Sequence, residues 1–384
     1  MKVIIAPDSF KGSLRSPEVC IAIEAGIRSV MPDAEIISVP MADGGEGTAE
    51  AAVISTGGSL EQIIVSGPLG TPVNACYGLS GGKSCAIMEM ASASGIELLT
   101  AEQLNPLKTS TYGTGEIIRG VLRKGIQEII IGIGGSATVD GGAGMAQALG
   151  FRFFDVDGRE LPRGIGGGEL GRINRVDCSM VEPLLKICRI KVACDVTNPL
   201  FGANGAARIF GPQKGATPEM VELLERNLAH YAEVLKQSGL CSGCDNPGDG
   251  AAGGLGFALR VFTKAQMVSG AALMIGITGL ESHLKGADLL ITGEGCSDSQ
   301  TANGKLCAVV AEAAQRAGVP AVLLSGAVPG GAEAFRGLFA GAFSIATGPC
   351  TLQEAIGATR QNLFFAAANV AGLYKAAVSR RAIL

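Results

Sequence analysis

The stretch I-I-I-G-I-G-G-S-A-T-V-D-G-G-A-G-M-A-Q-A-L-G, residues 129–150, decides how the rest of the chain is read. Ile129 to Ile133 is an apolar run with strand character. It breaks into Gly134-Gly135-Ser136, passes Asp140 and meets a second glycine pair, Gly141-Gly142, before a helical pattern starts near Ala143. A strand that feeds a glycine-rich turn into a helix start is suited to holding an anion. Glycines let backbone N–H groups approach, and the helix N-terminus carries partial positive charge. This turn also carries the Ser136 hydroxyl and the Asp140 carboxylate, which suits phosphate together with a metal or a hydroxyl. It is not a Walker loop, because no G-x-x-x-x-G-K-[ST] is present, and a nicotinamide fingerprint fails at Ala137. The plain alternative is a βα turn with no ligand.

At 384 residues the chain is long enough for two domains. Its 57 glycines are about twice the usual share, as expected where sites are built from tight loops. The net charge is −4, with no basic block, no Trp and four Tyr, so nothing in the composition points to nucleic acid. The apolar stretches are short and interrupted, so no membrane span is expected. The chain opens directly on the strand pattern Val3-Ile4-Ile5-Ala6 without the regions of a signal peptide, and a cytoplasmic location is the expectation. The eleven cysteines include Cys20, Cys85, Cys194 and Cys307 in apolar segments, which read as buried free thiols. Cys241 and Cys244 have the spacing of half a zinc site, but no second pair follows.

Residues 1–58 alternate strand and helix, and residues 287–384 return to the same alternation. Between them, Glu61–Val65, Pro72–Leu79 and Ser84–Met90 read as an antiparallel meander joined by Gly/Pro turns. The economical assembly is a doubly wound α/β domain built from both chain ends, 1–58 and 287–384, carrying residues 59–286 as an inserted second α/β domain with a mixed sheet. Ser16-Pro17-Glu18 is expected to open the first long helix with Ser16 as its cap. The apolar helix after about Leu352 suits either packing on a second copy or covering the sheet, so a homo-oligomer stays open.

Polar residues gather just after the strand patterns, where open α/β sheets bind ligands. The clusters are Asp8/Ser9/Lys11, Asp43/Glu46/Thr48, Ser136/Thr138/Asp140, Asp195/Asn198 and Glu294/Asp298, with Lys214 and Lys305 in glycine-rich settings. Carboxylates beside small residues suit Mg²⁺, and lysine in a glycine turn suits phosphate. Together they point to phosphoryl transfer. Each also has an ordinary use: Asp8 and Asp43 as caps or Asx turns, Lys11 as a solvated lysine, Asp195 to Pro199 as a turn, Glu294 and Asp298 as loop lining. His230 and His283 lie in helical patterns away from these loops and read as structural.

The motifs A-P-D-S-F-K-G-S (6–13), P-M-A-D-G-G-E-G-T (40–48), G-I-G-G-S-A-T-V-D-G-G-A-G-M (132–145), C-D-V-T-N-P-L (194–200), G-A-A-R-I-F-G-P-Q-K-G-A (205–216), G-A-A-G-G-L-G (250–256) and I-T-G-E-G (291–295) closely resemble the bacterial glycerate kinase family. More narrowly they resemble the class that phosphorylates the 2-hydroxyl. The resemblance runs from end to end. It implies ATP and Mg²⁺, conversion of D-glycerate to 2-phosphoglycerate, and two α/β domains, one of them flavodoxin-like, with the site in the cleft between them. On that reading Mg²⁺ is held by one or two of Asp195, Glu294 and Asp298. Asp8 or Asp43 orients and deprotonates the attacking hydroxyl, with Lys11 as a further catalytic group. Lys11 and Lys214 neutralise charge or hold the glycerate carboxylate. Ser9, Glu46, Thr48, Gly134, Gly135, Ser136, Asp140 and Asn198 complete the contacts to substrate or phosphate. Rival readings are a kinase of another hydroxy acid or polyol, a ligand-binding regulator without catalysis, and a nicotinamide-dependent dehydrogenase.

Overall fold

The computed structural model describes residues 1–298, 305–329 and 331–381. In chain order its strands are β1 (Lys2–Ile5), β2 (Glu35–Ser38), β3 (Ser59–Ser66), β4 (Pro72–Leu79), β5 (Cys85–Glu89), β6 (Glu128–Gly132), β7 (Arg152–Phe154), β8 (Arg175–Asp177), β9 (Arg189–Ala193), β10 (Gln266–Val268), β11 (Leu289–Cys296), β12 (Ala321–Ala327) and β13 (Gly341–Ser344). The chain forms two compact units. The first comprises Met1–Asp43, Glu50–Thr56 and Ala271–Leu384, the second Gly44–Ala49 and Gly57–Gly270.

The first unit is built on a five-stranded sheet in the order β13-β12-β11-β1-β2, parallel throughout. Numbered within the unit this is 2-1-3-4-5, the flavodoxin-like order of doubly wound sheets. β1 pairs with β11 through Val3↔Leu289 and Ile5↔Ile291. Val3, Ile4 and Ile5 are all inaccessible to solvent, which is why the strand reads as a continuous apolar run rather than an alternating one. On one face helix Ser16–Val30 and the long helix Leu352–Arg381 pack together, burying Val19, Ile23 and Ile27 with Leu363, Ala367 and Ala371. Any Cβ on Gly26 would overlap the Phe364 carbonyl, so this crossing requires glycine. The expectation that the C-terminal helix covers the sheet therefore holds for its inner face.

Ser16 is the first helical residue rather than the cap. Its hydroxyl donates to the Pro7 carbonyl (2.7 Å) and accepts from the Met41 amide (2.9 Å). The side chain thus ties the loops after β1 and β2 together, and Glu18 accepts from the Arg15 amide at the helix start instead (3.0 Å).

The second unit has a six-stranded mixed sheet, β10-β9-β6-β5-β4-β3. The meander β3–β4–β5 is antiparallel, as the sequence suggests, and β5, β6, β9 and β10 are parallel. β7 and β8 form a separate antiparallel pair. Phe153, Tyr231, Phe257 and Phe262 meet edge-on in the core of this unit.

The division differs from the sequence boundaries at 58/59 and 286/287. Gly44–Ala49 goes with the second unit because Gly44 lies against Ala193 and Gly132. Residues 271–286 go with the first, where Thr278 touches Met41. A change of strand pattern marks where pairing changes type, not where packing changes partner. All eleven cysteines are free; Cys20 and Cys307 are buried, whereas Cys85 and Cys194 are only partly so. No helix among the described residues is long and apolar enough to cross a membrane.

Candidate active site

Parallel strands end together, so the loops after β1, β11, β12 and β13 open on one edge of the first unit's sheet. There they line a cavity of about 1020 Å³, with Asp8, Ser9, Lys11, Asp43, Glu294 and Lys305 as its polar side. Val328, Ile345 and Ile356 also line it, with Thr359 and Asn362.

Asp8 sits directly after β1. Its amide donates to the Gly293 carbonyl (2.8 Å), and its Oδ1 accepts from the Ser9 amide (2.6 Å). It is 8 % exposed. Burial pushes its carboxyl from the ordinary 3.8 up to about 7, and the negative charges of Asp43 and Glu294 add to this. The Ser9 amide and the Lys11 ammonium act in the other direction and are outweighed. Lys11 reaches Asp43 at 3.9 Å with both groups exposed. Glu294 accepts a hydrogen bond from the Ser297 hydroxyl (2.9 Å). Gly295 lies beneath the Phe10–Lys11 backbone, where a larger residue would stand 3.5 Å from the Lys11 amide. The site therefore joins a carboxyl poised to exchange a proton near neutrality to two further carboxylates and an exposed cation.

Of the expected metal set, Glu294 lines this cavity and Asp298 stands 3.8 Å from Lys305. Asp195 belongs to the second unit, where its Oδ1 accepts from the Gly270 amide (3.1 Å). Among the described residues no group of three or more His, Cys, Asp or Glu side chains is arranged to hold a metal ion. The donors do fit an ion such as Mg²⁺, which takes one or two protein carboxylates and completes its shell with water and substrate phosphate.

The other expected residues lie in the second unit. Glu46 is exposed, and the buried Thr48 hydroxyl donates to the Gly45 carbonyl (2.7 Å), shaping the turn. Gly134 and Gly135 are exposed at the end of β6, Gly135 with φ 71°. Asp140 is different from the expectation. It is wholly buried and accepts from the Thr111 amide (2.8 Å) and hydroxyl (2.7 Å), the Gly142 amide (3.1 Å) and the Gly144 amide (3.3 Å). The anion at this helix start is thus the chain's own carboxylate, and the helix itself, Ala143–Ala148, is short. Asn198 is half-buried, and its Nδ2 donates to the Asn204 carbonyl at the surface (2.9 Å). Lys214 is only 1 % exposed; its Nζ donates to Ser136 Oγ and to the Thr138 carbonyl, each at 2.7 Å. Burial lowers this ammonium to about 7, against the pull of Asp140. His230 is structural, with Nε2–H donating to the Ile173 carbonyl (2.7 Å).

Two features escape the sequence reading. Glu89, at the exit of β5, accepts from the Ala49 amide (2.9 Å) and so holds the start of helix Thr48–Thr56; burial raises its carboxyl despite that bond. The strand-exit rule that found the other carboxylates applies to it equally. Thr359 and Asn362 place polar groups on the cavity wall from an otherwise apolar helix face.

Residues 3–375 match the model of the glycerate kinase family. The chain belongs to the glycerate kinase family. A glycerate 2-kinase of Escherichia coli K12 is 49% identical over 373 residues, 97% of each chain. A glycerate kinase of Bacillus cereus is 45% identical over 379 residues, covering 98% of this chain and 99% of the relative. A crystal structure described as a candidate glycerate kinase 2 from Salmonella typhimurium LT2 superposes with a TM-score of 0.88 at 46% identity, covering 99% of both chains. This member of the family is thus an α/β kinase, and the dehydrogenase and non-catalytic readings fall away.

Proposed function

We propose that this glycerate kinase family member transfers the terminal phosphoryl group of ATP to the 2-hydroxyl of D-glycerate, giving 2-phosphoglycerate and ADP. The observation that carries the reading is Asp8, a buried carboxyl held near neutral pH among Lys11, Asp43 and Glu294 in one large cavity. A general base works best when its pKa lies near the working pH. The 2-hydroxyl oxygen forms a bond to the terminal phosphorus as the bond from phosphorus to the bridging oxygen of ADP breaks, and Asp8 accepts the hydroxyl proton. Asp43 orients Lys11, whose ammonium faces the charge that spreads over the phosphoryl oxygens. Glu294, with Asp298 beside Lys305, would hold Mg²⁺, which neutralises phosphate charge when bound. The apolar wall of Val328, Ile345 and Ile356 suits a purine ring, with Thr359 and Asn362 for its polar edge. The cavity is ample for a nucleotide by the usual scale of ligand sites.

The 2-position rests on the name of the Escherichia coli relative and on the motifs. Ser136, Asn198 and Lys214 of the second unit enter through their chemistry alone. The test is ³¹P NMR of the product from ATP, Mg²⁺ and D-glycerate. A 2-phosphoglycerate signal is expected. A 3-phosphoglycerate signal would overturn the position, and unchanged ATP the substrate.

A further inference from the structure

We propose that Lys214 is a positioning residue that acts through Ser136, locking its hydroxyl as an outward hydrogen-bond donor to an oxyanion of the substrate. The inference rests on the kinase reading above and concerns residues of the second unit alone. A lysine that neutralises a ligand's charge directly should present its ammonium, and this one does not. Its Nζ is enclosed and bonded to Ser136 Oγ and the Thr138 carbonyl, both at 2.7 Å. An ammonium has donors and no acceptor. While Lys214 is charged, Ser136 Oγ must accept from it, and the serine's own proton is turned away from the lysine. The exposed Gly134-Gly135 turn immediately precedes that serine. Within the cluster the Thr138 hydroxyl is fully buried and has no hydrogen-bond partner among the described residues. Ser136 then offers one charge-assisted donor to a carboxylate or phosphate oxygen.

The other charge acting on Lys214 is Asp140, whose oxygens are engaged by Thr111, Gly142 and Gly144. Burial lowers Lys214 to about 7. When the amine loses its proton its nitrogen becomes an acceptor, the Ser136 proton can turn inward, and the outward donor and the positive charge are lost together. Oxyanion affinity should therefore fall as pH rises through neutrality. Binding an anion should in turn draw a proton onto Lys214.

The experiment is the KM of the full-length enzyme for D-glycerate and, separately, for ATP, between pH 6.5 and 9. D-glycerate does not titrate in this range, and comparison with Ser136→Ala removes the titration of ATP itself. The expected result is a KM for one of the two that rises about tenfold per pH unit above neutrality, with kcat following Asp8 instead. The substrate whose KM moves is the source of the oxyanion. Ser136→Ala should raise that KM about tenfold or more at pH 6.5 and flatten its profile; Ser136→Thr should restore it. Lys214→Met should flatten it too, but the serine pair and the wild-type profile stand without it should that variant not fold. An active enzyme with both KM values flat in pH, or a Ser136→Ala enzyme with the wild-type profile, overturns the inference. An enzyme that phosphorylates no glycerate at any pH overturns the kinase reading instead.

Discussion

Replacing Asp8 by asparagine should inactivate the enzyme and stabilise it in the same step. The carboxyl sits at 8 % exposure, and its pKa rises from 3.8 to about 7, first through burial and then through Asp43. The native state therefore holds this proton more tightly than the unfolded chain. Between pH 3.8 and about 7 it binds more protons than the unfolded state, so stability falls as pH rises through that window. The cost is complete above about pH 7, where it approaches 4 kcal/mol on the scale of about 1.4 kcal/mol per tenfold change. At pH 5 it is about 2 kcal/mol by the same relation. Asparagine keeps an oxygen for the Ser9 amide and carries no charge beside Asp43 and Glu294. Urea unfolding of wild type and Asp8→Asn at pH 5 and pH 8 measures this. The variant should be the more stable at both, by a margin that grows by roughly 3 kcal/mol between them. Its turnover should drop by about 10²- to 10⁴-fold, the usual contribution of a general base. Wild-type kcat should fall about tenfold per pH unit below neutrality as Asp8 takes up its proton. A variant less stable than wild type at pH 8, or a margin independent of pH, would refute the burial argument. Retained turnover would refute the base assignment.

Lys11→Ala should separate function from stability, since an exposed ion pair at 3.9 Å contributes at most about 1 kcal/mol while the cation serves the transition state; activity should fall at least about tenfold with the urea midpoint nearly unchanged. Asp140→Ala should do the reverse. It strands the donors of Thr111, Gly142 and Gly144 in the core and should cost about 2–5 kcal/mol in unfolding experiments. Arg260→Met leaves Asp249, 2 % exposed and bonded by the guanidinium Nε and Nη2 (2.8 and 2.7 Å), as an uncompensated buried charge; a loss of about 3 kcal/mol is expected from the same measurement. Gly44→Ala combines φ 93° with a Cβ 2.6 Å from that of Ala193, and should lower both stability and turnover by displacing the turn that follows Asp43.

The α/β class and the parallel sheet from both chain ends were legible because buried parallel strands leave uninterrupted apolar runs such as Val3–Ile5 and Leu289–Ile291. The strand-exit rule likewise picked out Asp8, Lys11, Asp43 and Glu294, which do share one cavity. What the rule cannot see is direction. Asp140 lies in an equally polar, glycine-rich turn, yet its side chain faces inward to satisfy backbone groups. Lys214 reads as a phosphate-binding lysine in a glycine turn, and only three-dimensional packing shows it enclosed. Asp195, grouped with Glu294 and Asp298 by its strand-end position, follows a strand of the other sheet, since similar residues at similar strand ends need not belong to the same sheet. Thr359 and Asn362 were invisible because two polar residues on a long helix ordinarily mark its solvent side.

The pairing of β1 with β11 sets a timetable for the ribosome. The Lys2 amide bonds Asp288, 286 residues later, and β1 has no neighbour on that side until β11 has been made. At about 5–20 residues per second this is a wait of roughly 15–60 s. Through it the apolar residues of β1 stay unpaired on their β11 side, while every strand of the second unit's six-stranded sheet already has its partners on the emerged chain. Early folding of that unit replaces a long floppy loop by a compact one and lessens the closure entropy β1 must overcome. Nascent chains halted once residue 270 has emerged from the ribosome should accordingly resist protease across β3 to β10 while being cut near β1. The order in which the sheets form is then written into the connectivity, with the proposed catalytic carboxylates Asp8 and Glu294 brought together only after the second unit's sheet is complete.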